Sequence, residues 1–232
     1  DQGRLDEAIT AYRRALAIEP DAAGVHSDLV YTLHFHPDHD DRTRAEEQQC
    51  WNRQFAEPLR QFILPHGNAR DPERRLRIGY VSPDFRNQAE AFFVLPLLES
   101  HDHGQFEIHC YSSVVRPDFL TERHRRAVDV WHDVPGRSDS ELAVQIRADG
   151  IDILVDLTMH MAGNRLPIFA RKPAPVQVTW LAYPGSTGLA AMDYRLTDSH
   201  IDPPSVETPD YSEESVRLPD CWVCYDPLTE EP

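Results

Sequence analysis

Residues 171–188 read RKPAPVQVTWLAYPGSTG, a strand-like run that leads directly into a turn rich in glycine, proline and small hydroxyl residues. Pro173 and Pro175 prevent a helix and favour extended backbone, and the valines and tryptophan that follow suit a strand. The turn glycines allow close backbone approach, which predicts that N–H groups and the hydroxyls of Ser186 and Thr187 are free to bind a ligand. A turn that only closes a crossover uses the same residue types, so both interpretations stay open here.

Short β-rich runs alternate with helical stretches on both sides of this segment, which predicts βαβ units and a doubly wound parallel sheet. The predicted strands are Leu76 to Val81, Phe106 to Ser112, Ile151 to Leu157, Val176 to Leu181 and Tyr194 to Thr197, and the predicted helices are Glu90 to Ser100, Asp118 to Val128 and Glu141 to Ala148. The last helix is opened by a capping box, Ser138 to Glu141, and closed by Gly150.

Ligands of such sheets bind outside the carboxyl ends of the strands. The bends at residues 82–88, 158–164 and 182–188 follow three predicted strands and carry polar residues. We therefore expect these bends to lie along one edge of the sheet and to face a common ligand.

The first residues have helical spacing typical of tetratricopeptide repeats. Small, aromatic and proline positions typical of the second helix of a repeat are Gly3, Ala8, Tyr12, Ala15 and Pro20. The apolar face of the first helix of a following repeat is formed by Val25, Leu29 and Leu33. Such repeats need about three neighbours to be stable, so we expect the chain to begin inside a longer array. A third helix, Thr43 to Ala56, is predicted to end at Pro58 and to join the repeats to the sheet.

Composition excludes several classes of protein. The 232 residues are 41% hydrophobic, enough for a core, and carry a formal charge of -16, which repels nucleic acid and anionic membranes. The sequence has no apolar run of about 18 residues and no signal-peptide pattern at its start. Its four scattered cysteines suit a reducing compartment. We expect a soluble, cytoplasmic protein that binds neither nucleic acid nor membrane.

Four motifs follow the repeats in order: LRIGYVSPDF at 76–85, DILVDL at 152–157, RKPAPVQVTW at 171–180 and YPGSTG at 183–188. Together they resemble the nucleocytoplasmic protein O-glycosyltransferases, that is, O-GlcNAc transferase and its SPINDLY relatives, over nearly the whole chain. The tail at 217–225, RLPDCWVCY, is similar to SPINDLY-type and bacterial members.

The resemblance implies an α/β fold, the Rossmann-like first lobe of a B-type glycosyltransferase, preceded by an all-α tetratricopeptide-repeat segment. It divides the chain into the end of a repeat array (1–38), a linking helix and loop (39–74), the lobe (75–225) and a connector to a missing second lobe (226–232). The implied donor is UDP-GlcNAc or GDP-fucose, held mainly by the second lobe without a metal or other cofactor. The implied acceptors are Ser or Thr of intracellular proteins captured by the repeats, and no turnover is expected from this chain alone.

The resemblance also assigns site residues. Asp84 matches the aspartate proposed to receive the acceptor proton, although an aspartate here can instead cap the following helix. Gln88 stands where family members have histidine, and an amide cannot titrate. The implied substrate-binding residues are His160, Leu181, Ala182, Tyr183, Pro184, Gly185 and Thr187. A histidine at position 160 that bonds to neighbouring backbone, and packing alone for Leu181 and Tyr183, are the alternatives.

Three further departures lie on the same predicted rim: Met159 and Met161 stand where relatives have Gly and Thr, and Ala182 replaces a glycine. The resemblance implies that the two methionines place bulky apolar side chains beside the donor and that the Ala182 methyl leaves less room for close backbone approach. The resemblance therefore leaves two functions open, an inverting, metal-independent protein O-glycosyltransferase or a catalytically degenerate scaffold that binds protein partners. An unrelated nucleotide-sugar enzyme is a third possibility, against which the order of repeats and lobe argues.

Two motifs have metal-ligand residue types, the segment HFHPDHDD at 34–41 and the pair Cys221 and Cys224. A structural zinc site needs four ligands in paired spacings, and a redox C-x-x-C should open a helix after a strand. We therefore predict neither a metal site nor a redox site from them.

Overall fold

A computed structural model describes residues 3–71, 73–204 and 211–229. Its centre is a parallel sheet of seven strands in the order β3-β2-β1-β4-β5-β6-β7. The strands are β1 (Leu76–Ser82), β2 (Phe106–Ser112), β3 (Val130–Asp133), β4 (Ile153–Asp156), β5 (Val176–Thr179), β6 (Tyr194–Asp198) and β7 (Glu214–Leu218). The predicted doubly wound α/β class is confirmed.

Helices cover both faces of the sheet. They are α1 (Leu5–Ile18), α2 (Ala23–Leu33), α3 (Asp41–Trp51), α4 (Ala91–Ser100), α5 (Phe119–Arg126), α6 (Asp139–Ala148) and the short α7 (Leu166–Phe169). Successive strand residues point to opposite faces, so Tyr80 joins the core under α4, while Val81 joins the core under α3, α6 and α7. The predicted capping box of α6 is present, because Ser138 and Glu141 bond reciprocally to each other's backbone N–H.

The repeat helices are continuous with the core of the sheet. Helices α1 and α2 pack around Ile9, Leu29 and Leu33, and α3 inserts Trp51 into the apolar cluster beside β1 and β4. The prediction that Pro58 ends the third helix is wrong. The chain continues as a π-helical turn (Asn52–Ala56) and a 3₁₀ helix (Glu57–Phe62), and Pro58 is tolerated in the first turn of the latter, where no N–H is needed.

Strand β5 is shorter than predicted. It ends at Thr179, and Leu181 has a φ of 78°, a left-handed conformation that cannot continue a strand. No helix in the described ranges is both long and apolar enough to cross a membrane.

Candidate active site

The three polar bends lie along one edge of the sheet, as predicted. They follow β1, β4 and β5, which are neighbouring parallel strands. The first two bends touch: Gly163 has a φ of 80°, and a Cβ on it would lie 3.2 Å from the Pro83 side chain. A glycine is needed there because the conformation is left-handed and the neighbour is close.

A cleft of about 720 Å³ opens at this edge and is lined by the segments that follow β1, β2, β3 and β4. Four arginines line it, Arg86, Arg116, Arg137 and Arg165, with the carboxylates of Asp84 and Asp139. Two of these arginines pair with the two carboxylates. Among the described residues, Arg116 and Arg137 form no ion pair. The cleft therefore suits an anionic ligand although the whole chain is acidic.

Asp84 is buried at the wall of this cleft. Its Oδ1 accepts hydrogen bonds from Nε (3.1 Å) and Nη2 (2.9 Å) of Arg86, and its backbone N–H donates to Oγ of Ser82. Helix α4 has no side-chain cap from Asp84. The capping alternative is thus not what the structure shows, and Asp84 faces the cleft with an arginine partner.

Gln88 lies at the start of α4. Its Oε1 accepts the backbone N–H of Glu90 at 3.0 Å, a local bond that stabilises the helix start. Gln88 is not among the residues that line the cleft. The Gln88 side chain is therefore bonded to the backbone just ahead of α4 rather than placed in the cleft, and α4 has no side-chain cap.

Two buried carboxyl groups near Asp84 were not predicted. Burial raises the pKa of Glu90 to about 8 and that of Asp156 to about 6. The Ser82 hydroxyl donates to Glu90, and the N–H groups of Thr158 and Met159 donate to Asp156. In the sequence, Asp156 is marked only by its position at a strand end, and Glu90 only by its position at the start of a predicted helix.

The bend at 182–188 faces the repeats, and its polar groups are already bonded. Glu213, itself buried, accepts hydrogen bonds from the Ser186 hydroxyl (2.6 Å), the Thr187 N–H (2.7 Å) and the Thr187 hydroxyl. The prediction that these groups are free to bind a ligand is wrong. The reason is a carboxylate 26 residues beyond Thr187, which no local pattern signals.

Tyr183 and Gly185 of this bend pack against the C-terminal end of helix α2. The Tyr183 ring lies 5.3 Å from that of Tyr31 and 4.7 Å from that of His34. A Cβ on Gly185 would meet Tyr183 at 2.8 Å, so the predicted close approach is made by an aromatic ring. Pro184 and Gly185 line a separate hollow of about 270 Å³ between the repeats and the bend.

His160 lies inside the protein. Its Nδ1 is 3.1 Å from Oγ of Ser27, its Nε2 is 2.7 Å from the Thr187 carbonyl, and burial lowers its pKa to about 4. The neutral ring thus joins the repeats to the bend with both nitrogens in use. A contact with substrate would require this arrangement to open.

The structure also shows where the three residues that differ from the family pattern, Met159, Met161 and Ala182, are located. Met159 is buried rather than placed in the cleft, and its φ of 46° is a conformation that favours glycine. Met161 is half-buried. Ala182 is half-buried, and its N–H donates to the Trp180 carbonyl in a tight turn. The expectation that Met159 projects beside the ligand is therefore wrong.

Known families match this chain over most of its length. A family model described as glycosyl transferase family 41 matches residues 25–228, and a tetratricopeptide-repeat model matches residues 1–34. The chain is 39% identical over 219 residues to a Petunia hybrida protein and 40% identical over 217 residues to an Arabidopsis thaliana protein. Both carry the name probable UDP-N-acetylglucosamine–peptide N-acetylglucosaminyltransferase SPINDLY.

A solved structure has the same fold. A mutant of the Thermobaculum terrenum O-GlcNAc transferase superposes with a TM-score of 0.89 at 43% identity, over 95% of this chain and 42% of that one. The two plant matches cover 93% and 92% of this chain but only 23% and 24% of the relatives. The chain therefore spans about a quarter of the length of these plant proteins.

Proposed function

Because the chain belongs to glycosyl transferase family 41, we propose that it is the last repeats and the first lobe of a longer protein O-glycosyltransferase. That enzyme transfers N-acetylglucosamine or fucose from a nucleotide sugar to Ser or Thr of cytoplasmic proteins. The observation that carries the proposal is the arginine-lined cleft with Asp84 on its wall, at the edge where parallel α/β sheets bind ligands.

Asp84 supplies the acceptor side of the reaction. In an inverting transfer, the acceptor oxygen attacks the anomeric carbon, the bond to the diphosphate breaks, and the hydroxyl proton needs a base. Asp84 receives that proton, directly or through a water, because its carboxylate is the one that lies on the cleft wall beside Arg86. Arg116 and Arg137, which form no ion pair with any residue that the structure describes, attract the anionic donor toward the cleft.

The donor is UDP-GlcNAc or GDP-fucose. The plant relatives are named for UDP-N-acetylglucosamine, which favours the first. We expect the diphosphate to be neutralised by a second lobe rather than by a metal, and the repeats to present the acceptor protein. In this proposal His160, Leu181, Ala182, Tyr183, Pro184, Gly185 and Thr187 border the sugar only after the bend at 182–188 rearranges, since it now packs on the repeats.

A protein-binding scaffold without turnover is the second candidate. Gln88 favours it, because its amide cannot take up a proton near neutral pH and is bonded to the Glu90 N–H. In that case the cleft is retained but glycosyl transfer no longer takes place in it.

The test uses the longer protein that contains this chain, radiolabelled UDP-GlcNAc or GDP-fucose, and a protein extract as acceptor. We expect incorporation from one donor, a loss of about 10²–10⁴-fold on Asp84→Asn, and a gain on Gln88→His. The matched control is Asp133→Asn, an exposed aspartate paired with Arg125 outside the cleft, which should keep transfer within about two-fold. If neither donor gives incorporation, with Gln88 or with His at that position, the enzyme hypothesis is rejected and the scaffold hypothesis remains.

A further inference from the structure

A group of metal-ligand side chains lies away from the cleft. One donor atom each from His109, His132 and Asp149 falls within 4.8 Å of the others. His109 is on β2, His132 is on the edge strand β3, and Asp149 caps the C-terminus of α6. Three separate elements therefore bring these side chains together, and the spacing of the three residues in the sequence does not indicate a metal site.

The histidine nitrogens there are incompletely satisfied. Nδ1 of His109 is buried and makes no hydrogen bond, and His109 as a whole is only 5% exposed. Nε2 of His132 is also buried without a hydrogen bond, and lies 3.4 Å from Oδ2 of Asp149. A buried polar atom without a partner costs about 1–3 kcal/mol, so most such atoms in proteins have one. Two buried imidazole nitrogens beside a carboxylate form a donor set that a cation would satisfy.

The surroundings orient the three side chains. Nε2 of His109 is 2.8 Å from Oε1 of Glu107, which leaves Nδ1 with the lone pair, as in the carboxylate–histidine pairs that support metal ligands. The Tyr111 hydroxyl donates to Oδ2 of Asp149 at 2.7 Å, and the Tyr111 ring stacks on His132 at 4.7 Å. Each donor group thus has its own support.

We propose that His109, His132 and Asp149 bind a divalent transition-metal ion of zinc-like chemistry, with water as a fourth ligand. Two imidazoles and a carboxylate suit zinc. Tetrahedral bonds of about 2.0–2.1 Å place neighbouring ligand atoms about 3.4 Å apart, and Nε2 of His132 already lies 3.4 Å from Oδ2 of Asp149. The His132 side chain is 22% exposed, so an ion can enter from the edge of the sheet.

Charges of both signs surround the site. Glu107 and Asp149 contribute two carboxylates, and Arg75 and Arg77 lie within 3.8 Å of Glu107, so the two signs are equal in number among these groups. The ion would tie the edge strand β3 to β2 and to the end of α6. This role is structural and independent of transfer in the cleft.

The two motifs of metal-ligand type in the sequence are the competing sites. In the first, Nε2 of His36 is 3.0 Å from Asp6 and its Nδ1 accepts the Asp38 N–H. In the second, Cys221 and Cys224 are exposed, and the Cys224 thiol donates to the Phe93 carbonyl. Neither forms a three-ligand group among the described residues.

The test is calorimetric titration of the full 232-residue chain with Zn²⁺, in a Cys221→Ser, Cys224→Ser background. We expect one ion per chain and a higher melting temperature with zinc. His132→Phe, which keeps the stacking on Tyr111, and Asp149→Asn should each weaken affinity more than the roughly 10–100-fold expected for Glu107→Gln, an orienting residue. His39→Asn, in the 34–41 motif, is the matched control and should leave affinity unchanged.

Binding that survives His132→Phe, binding lost with His39→Asn, or no binding at all would overturn the proposal. If a variant fails to fold, the visible absorption spectrum of the unaltered chain with Co²⁺ still tests the proposal. Visible bands without thiolate charge transfer fit nitrogen and oxygen ligands, whereas a thiolate band places the ion on the cysteines and refutes the site. None of these outcomes depends on glycosyl transfer.

Discussion

Glu90 shows at the scale of one residue how burial keeps an acidic side chain protonated and uncharged. Burial raises its pKa from 4.5 to about 8 and the Ser82 hydroxyl holds it at 2.7 Å. The folded chain therefore keeps a proton that the unfolded chain releases. Its contribution to stability is fully present below pH about 4.5 and is lost as the pH rises to about 8.

Glu90→Gln tests this coupling, because glutamine keeps an acceptor for Ser82 and carries no charge. A pKa difference of one is worth about 1.4 kcal/mol, so the variant should be more stable than the parent by a few kcal/mol at pH 8.5 and nearly equal at pH 4.5. Urea denaturation at the two pH values measures the difference. Glu19→Gln, at an exposed position, should show no such pH dependence, and equal effects of the two variants would contradict the argument.

The sequence predicted where some site residues lie, but it did not predict which groups they bond to. Asp84 lies on the cleft, as a residue after a strand end should. Thr187 has a partner that could not be foreseen, because Glu213 lies 26 residues further along the chain. Long-range hydrogen bonds leave no local pattern in the sequence.

At the scale of elements, the predicted strands are the ones that lie inside the sheet. Strands β3 and β7 were missed, and they are its two edges. Residues of β3 are half-buried or exposed, and those of β7 alternate in the same range. An edge strand does not need the continuous apolar run that marks a buried parallel strand, so neither segment carries the signal.

The turn after β5 depends on a glycine that contacts the linking helix α3. Gly188 has a φ of 67°, and a Cβ on it would lie 2.5 Å from Cβ of Gln48 in α3. Gly188→Ala should therefore suffer both left-handed strain and a clash. Gly136 has a φ of 76° with nothing within 4 Å, so Gly136→Ala isolates the strain.

We expect Gly136→Ala to cost about 1 kcal/mol and Gly188→Ala an additional 1–3 kcal/mol, roughly the cost of overpacking. Thermal or urea denaturation of the two variants gives the difference directly. Equal losses would mean that the turn and α3 separate without penalty, which would refute the close packing of repeats and sheet.

At the scale of the whole molecule, the repeats and the sheet share their core. Trp51 of α3 is fully buried with residues of β1 and β4, and its indole N–H donates to the Ala23 carbonyl of α2. His160, beyond β4, reaches Ser27 of α2. The boundary at residues 38 and 39 is a proposal drawn from the sequence, and these bonds cross it.

Deletion of residues 1–38 therefore tests whether the lobe is autonomous. Removing α1 and α2 takes away the partners of Trp51 and of one His160 nitrogen, and each buried polar group left unpaired costs about 1–3 kcal/mol. For a chain of this size, 1 kcal/mol corresponds to roughly 2–4 °C, so the melting temperature should fall by at least about 5 °C. Deletion of residues 1–4, ahead of α1, should change it little. A lobe that melts at the parent's temperature would show that the repeats do not stabilise it, and the proposed acceptor capture and the proposed chemistry would then be separable.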